Sequence, residues 1–156
     1  MKTATKPPQN TLYETDFYAW TQEQARVLRE RRWNDLDLEN LVDEVASVGG
    51  SEKREIRNRL TVLLARRLKW KHQPGLRGAS WRGTICEQRD QLADIVGDSP
   101  SLREFLLQQV KDRYLGGGLL VAKETGIAFG LFPEECPFTP DQVLDPEFFP
   151  EDCSIE

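Results

Sequence analysis

At 156 residues the chain has the length of one domain and can bury about 70% of its unfolded surface, so it needs neither a disulfide nor a metal to fold. With 38% hydrophobic and 30% charged residues it reads as soluble and helix-rich; no apolar run approaches the roughly 20 residues of a membrane span, and MKTATKPPQN lacks the apolar centre of a secretory signal. The net charge of −5 conceals an asymmetry: residues 1–50 hold six basic and nine acidic residues, 51–90 eleven and four, and 91–156 four and thirteen, so a basic centre lies between acidic flanks that either expose it to a polyanion or neutralise it themselves.

Residues 1–11, with Pro7, Pro8 and no periodicity, read as a disordered lead-in, and residues 12–151 as a single helical domain. The spacing of Phe17, Trp20, Val27 and Leu28 predicts a first helix from about Asp16 to Arg32. Asp37 is the N-cap of a second, followed at helical spacing by Leu38, Leu41, Val42 and Val45. Gly49-Gly50 is expected to end it, with Gly49 in the left-handed region. Ser51 then caps a third helix. Its apolar residues (Ile56, Leu60, Leu63, Leu64 and Trp70, with Val62, Ala65 and Leu68 beside them) cover most of its circumference and put it at the centre of a bundle.

Pro74 stops that helix, and Ser80 caps a fourth, which carries Trp81, Ile85, Leu92, Ile95 and Val96 on one face. Ser99-Pro100 is the N-cap and N1 pair of a fifth, with Leu102, Phe105, Leu106, Val110 and Leu120 as its stripe and Gly126 as its stop. Gly116-Gly117-Gly118 interrupts it at about 1 kcal/mol per glycine relative to alanine; continuity or a kink is expected, with Gly116 and Gly117 on the buried face. Thr139, Pro140 and Gln142 mark a short helix in a Pro- and Phe-rich tail, which Phe129, Phe132, Phe138, Phe148 and Phe149 pin to the bundle. No strand-like alternation occurs. The fold class is all-α, an up-and-down bundle of about five helices with the C-terminal tail packed on it.

Each long amphipathic stretch carries a polar side chain in its apolar stripe: Gln24, Arg67, Gln88 and Arg113. An unpartnered polar group there costs roughly 1–3 kcal/mol, so the four predict an interior polar layer, with Glu44 as the carboxylate expected to pair with Arg67. Such a layer is either an anion-binding or catalytic pocket in the bundle interior or a satisfied hydrogen-bond network that selects one packing arrangement. The arginine heads could also reach out to water. Lys69, Trp70, Lys71, Trp81, Arg82 and Arg89 form a basic-aromatic stretch of the kind that meets phosphates and bases. Both tryptophans nevertheless fall in apolar stripes, and the overall acidity argues against unaided nucleic-acid binding.

No metal site is expected. His72 is the only histidine and sits at a helix C-terminus, where a cation is a favourable cap. Asp43 and Glu44 are adjacent and point about 100° apart. Cys86, Cys136 and Cys153 are odd in number without CxxC spacing, which suits reduced thiols in the cytoplasm. No Gly-rich phosphate loop or nucleophile–base set is present, and no cofactor is implied.

LYETDFYAW (12–20), DLDLENLVDEVASVG (35–49), RRLKWKHQP (66–74), SWRGTICEQR (80–89), DSPSLREFL (98–106) and FPEECPFTPDQVLDPEFFPE (132–151) resemble a bacterial domain-of-unknown-function family, number twenty-nine. The resemblance covers roughly residues 11–151 and implies an all-helical bundle; the family brings no established activity and no site residue. Its members often have His-Leu-Leu-Lys-Trp where this chain has Arg66-Arg67-Leu68-Lys69-Trp70, which removes the histidine a metal reading would need. The first functional expectation is a protein-binding or regulatory module, with a protein partner or a second copy meeting its acidic tail or basic middle. The second is a small-molecule binder or enzyme in which Arg67, Arg82, Arg89 or Arg113 holds an anion beside Glu44. Nucleic-acid binding through residues 51–90 is the third, and no membrane is involved.

Overall fold

A computed structural model describes residues 9–149. Six α-helices follow one another among the described residues: α1 (Gln9–Thr15), α2 (Phe17–Arg29), α3 (Leu38–His72), α4 (Ala79–Asp98), α5 (Arg103–Thr125) and α6 (Pro140–Leu144). Single 3-10 turns lie at Trp33–Asp35, Pro74–Leu76, Pro100–Leu102 and Phe129–Leu131, and no strand occurs among the described residues. The chain is all-α, as the periodicity predicts. It divides into two compact units, Met1–Ser51 and Glu52–Glu156.

In the first unit α1 begins at Gln9, inside the stretch read as a lead-in; the rest of that stretch, residues 1–8, lies outside the described residues. Asp16 caps α2 by accepting from the Ala19 amide at 3.0 Å. An aromatic cluster joins α1 to α2: the Tyr13 ring meets Trp20 edge-on at 4.9 Å, and Phe17 stacks on Trp20 at 5.6 Å. α2 ends earlier than its periodicity suggests, with Arg31 at φ 57°. The amides of Arg31 and Arg32 turn back to the carbonyls of Leu28 and Val27, at 3.1 and 3.0 Å, so an arginine holds the left-handed position usually given to glycine.

α3 corrects the sequence reading: it runs unbroken through Gly49-Gly50, and Ser51 lies within it rather than capping a new helix. Neither glycine has a positive φ. Without a left-handed turn, two glycines only weaken a helix, by about 1 kcal/mol each. The apolar spacing also stays in phase across them, because Val45 and Ile56 are eleven residues, three turns, apart.

The core of the second unit is built on Ile56, Leu60, Leu63, Leu64 and Leu68 of α3, Ile85 and Leu92 of α4, and Leu106, Val110 and Val121 of α5. Gly78, not Ser80, takes the N-cap position of α4. α5 is continuous through its glycine triplet, but Gly117 and Gly118 are the buried pair and Gly116 is half-buried. At Gly126, φ is 75° and the amide returns to the Ala122 carbonyl, which is the expected stop. Thr139 and Gln142 form a full capping box at α6. Phe132, Phe138 and Phe149 of the tail are buried, while Phe129 remains partly exposed.

Candidate functional site

Among the described residues no hydrogen bond links the polar residues expected to share one layer. Gln24 is buried in the first unit, where its side-chain oxygen accepts the Asp37 amide at 2.9 Å and Trp20 Nε1 donates to Asp37 Oδ2 at 3.0 Å. Together these bonds fix the turn that starts α3. Gln88 is half-buried and accepts from Arg59 Nη1 at 3.4 Å, a long bond at the edge of the second unit. Arg113 is half-buried, with Nε unpartnered. Glu44 does not serve Arg67; its Oε1 accepts the Tyr13 hydroxyl at 2.5 Å.

Arg67 instead meets Arg89, which the sequence places only on a flank of the fourth helix. Both are buried, at 0% and 4% exposure, and both point at the tail. Arg67 Nη2 donates to the carbonyls of Gln142, Val143 and Phe148, at 2.5, 3.0 and 3.3 Å. Arg89 donates from Nε to Val143 at 3.2 Å, from Nη1 to Pro146 at 2.9 Å and from Nη2 to Phe148 at 2.5 Å. α6 has five residues, so most of its carbonyls lack a partner within the helix and gather at the negative end of its dipole. Two guanidinium groups supply the missing donors.

Aromatic rings close the arrangement, with the Arg67 guanidinium 4.9 Å from the Phe148 ring centre and Arg89 5.1 Å from that of Phe149. Because the partners are neutral, burial and the nearby Arg89 cation bring the Arg67 pKa down to about 9, against a smaller opposing pull from Asp145. Burial lowers Arg89 as well. Both remain cations near neutral pH, and Arg67 Nε and Nη1 have no partner.

The basic-aromatic stretch is turned inward at Lys69, Trp70 and Arg89, while Lys71 and Trp81 are half-buried and Arg82 is exposed. Trp70 is buried against Phe149, ring centres 5.3 Å apart. Arg82 lies 4.4 Å from the Phe149 ring centre, and Lys69, itself buried, pairs with Glu124 and sits near the half-buried Trp81. The basic centre and the C-terminal segment are therefore used on each other within the second unit.

His72 also departs from expectation. Its ring meets Phe132 edge-on at 5.1 Å, and burial, with help from Lys71, lowers its pKa from 6.5, so it is not a charged helix cap. A folded-state pKa below the unfolded one means that the unfolded chain takes up the proton first on acidification. The stability tied to this group is thus complete above about pH 6.5 and declines below it. The single imidazole should titrate below 6.5 by NMR. The urea midpoint should fall more between about pH 7.5 and about pH 5.5 in the native protein than in His72→Gln.

Among the described residues no cleft gathers the whole expected anion-binding set, but one of about 420 Å³ brings Arg82 and Arg89 to a common wall with Cys86, Asp90, Glu147 and Phe149. Another, about 690 Å³, is lined by Lys111, Tyr114, Phe129, Glu135, Cys136 and Phe138 among others. Burial raises the Cys136 thiol pKa, the reverse of an activated nucleophile. A smaller cleft of about 330 Å³ touches Arg89 and Arg103 beside Leu92, Val96 and Leu106. Cys86 is exposed, and Cys153 lies outside the described residues. No group of three or more metal-ligating side chains occurs among the described residues, and no described helix is long and apolar enough to cross a membrane.

The surface that sequence reasoning missed is in the first unit. Three of the apolar residues at helical spacing in the expected second helix lie open on α3, Leu38 at 63% exposure, Val42 at 57% and Val45 at 68%, and Val48, one turn further on, is open at 71%. Leu41 is half-buried. Tyr18 and Trp33 are exposed in the same unit. Periodicity finds an apolar stripe but does not say what covers it.

Fold and contacts together define an all-helical protein whose C-terminal tail is fastened through backbone carbonyls to two buried arginines. The family model described as Domain of unknown function DUF29 matches residues 12–149, and the chain belongs to that family. No curated protein and no solved structure matches it.

Proposed function

We propose that the chain is a protein-binding module whose contact surface is the outward face of the first turns of α3. The observation that carries this reading is the row Leu38, Val42, Val45 and Val48, four large aliphatic side chains more than half exposed along one helix. Single exposed apolar residues are ordinary, whereas a contiguous row marks an interaction surface. Valine also gains nothing as a surface helix residue, since its branched side chain has lower helix propensity than lysine or glutamate. Burying each side chain against a partner is worth about 1.5–3 kcal/mol of transfer free energy before ordering costs.

Several residues of the competing readings are already engaged within the chain. Arg67 and Arg89 already spend donors on chain carbonyls, which weighs against their holding an anion. Lys69 is paired and Trp70 covered, which takes two contacts from the nucleic-acid reading.

The test is a selection of helical peptides that bind the intact protein, followed by mapping with amide chemical shifts. Selected peptides should perturb residues 38–48, and Val45→Asp should weaken them at least about thirtyfold, roughly 2 kcal/mol. Val45 is exposed, so circular dichroism of that variant should be unchanged. Peptides that map only to the clefts of the second unit, or that ignore Val45→Asp, would end the proposal.

A further inference from the structure

We infer that the partner seated on this face is a basic amphipathic helix, an inference that rests on the protein-binding reading above. Residues 33–51 contain Asp35, Asp37, Glu39, Asp43 and Glu44 and not one lysine or arginine. At 100° per residue, Leu38, Val42 and Val45 fall within about 60° of one another, and Val48 lies about 60° further round. Glu39 and Asp43 follow along one edge of that stripe, and Glu44 lies beyond the other. Glu39 and Asp43 are exposed and pair with no cation among the described residues. The face is therefore an apolar strip about three turns long with unneutralised carboxylates beside it.

Each alternative occupant meets that charge unfavourably. Nucleic acid and anionic lipid carry the same sign as the strip's borders. A second copy centred on the same face would lay acid against acid, because residues 33–51 have no cation to offer in return. A helix with apolar residues at i, i+4, i+7 and i+10 and with lysine or arginine on its flanks satisfies both features. Its stripe matches Leu38, Val42, Val45 and Val48, and its flanks meet Glu39 and Asp43. Rim charges of this kind steer encounter and select the partner, while the aliphatic row supplies most of the affinity.

The experiment uses the full chain and four synthetic peptides of about eighteen residues. Three share one apolar stripe and differ in flanks, which are lysine/arginine, glutamine or glutamate. The fourth has the basic composition scrambled out of helical period. Binding is read by fluorescence anisotropy at about 50 mM and about 300 mM salt.

The basic peptide should bind about tenfold tighter than the glutamine peptide at low salt, with the gap shrinking at high salt. The glutamate and scrambled peptides should bind weakly or not at all. A Glu39→Gln, Asp43→Asn variant should lose the gap and keep the glutamine peptide. Equal binding of the basic and glutamine peptides would overturn the charge assignment and leave the protein-binding reading standing. Failure of every peptide, or indifference to Val45→Asp, would remove that reading as well. Concentration-dependent self-association abolished by Val45→Asp would make the occupant a second copy and overturn the inference.

Discussion

Replacing Arg67 by alanine is expected to cost about 3–5 kcal/mol of unfolding free energy. The side chain has no exposed surface and fills the space between α3 and the tail, so truncation opens a cavity where its stem lay. It also withdraws the donor shared by the carbonyls of Gln142, Val143 and Phe148. Hydrogen bonds from a charged donor are individually worth about 1.5–3 kcal/mol. Gln142 has no second arginine to turn to, whereas Val143 and Phe148 retain Arg89.

Arg67→Met separates the two contributions. Methionine keeps much of the stem volume and removes a buried cation that has no carboxylate and two unpartnered nitrogens. Exchanging a buried charge for a well-packed apolar group is often close to neutral, so the cost should fall to about 1–2 kcal/mol. Guanidinium unfolding measures both values, and hydrogen exchange over residues 140–149 reports whether the tail opens before the bundle. The Arg67→Ala, Arg89→Ala pair should be less than additive, since the two arginines share the Val143 and Phe148 carbonyls. Equal losses for alanine and methionine, with unchanged tail protection, would show that the guanidinium contributes only bulk.

Arg67 also marks where the sequence stops being informative. A cation in the middle of an apolar stripe is visible by periodicity, and its burial follows from the position. Its partners are not visible, because they are backbone carbonyls 75 to 81 residues away that leave no side-chain signature. The expected carboxylate, Glu44, belongs to the Tyr13 hydroxyl instead. Arg89 was missed as a buried group for a related reason: it lies on the flank of its own helix, and the tail makes that flank interior.

Capping chemistry was legible at Gly126 and Thr139, where the stop and the capping box fall as expected, but not at Ser80, which lies inside α4. It misled at Gly49, where a stop signal was read without weighing the phase of the stripe on either side. The open row on α3 shows the other limit. Amphipathicity identified Leu38, Val42 and Val45, but only coordinates show that the first unit leaves them uncovered.

The glycine triplet of α5 provides a test in which neighbouring positions should respond with opposite sign. A Cβ built on Gly117 would sit 3.1 Å from Leu64 Cβ, 3.2 Å from the Ala65 nitrogen and 3.4 Å from the Thr61 carbonyl oxygen. Two of those atoms are backbone of α3, which cannot rotate aside, so the glycine sets how closely α3 and α5 approach. Gly117→Val adds two further carbons to the same contact and should cost about 3 kcal/mol, at the upper end for overpacking. Gly117→Ala should lose less, because about 1 kcal/mol of helix propensity works in its favour.

At Gly116 the nearest atom to a built Cβ is Thr61 Cγ2 at 3.6 Å, an ordinary contact. Gly116→Ala should therefore stabilise the protein by up to about 1 kcal/mol. Gly118→Ala falls between the two: its Cβ would come within 2.7 Å of the Phe129 ring, but that ring is partly exposed and has room to swing outward. Chemical denaturation of Gly116→Ala, Gly117→Ala, Gly117→Val and Gly118→Ala orders the set. If Gly116→Ala and Gly117→Val shifted the midpoint in the same direction, close approach of the two helices at Gly117 would not be what the triplet provides.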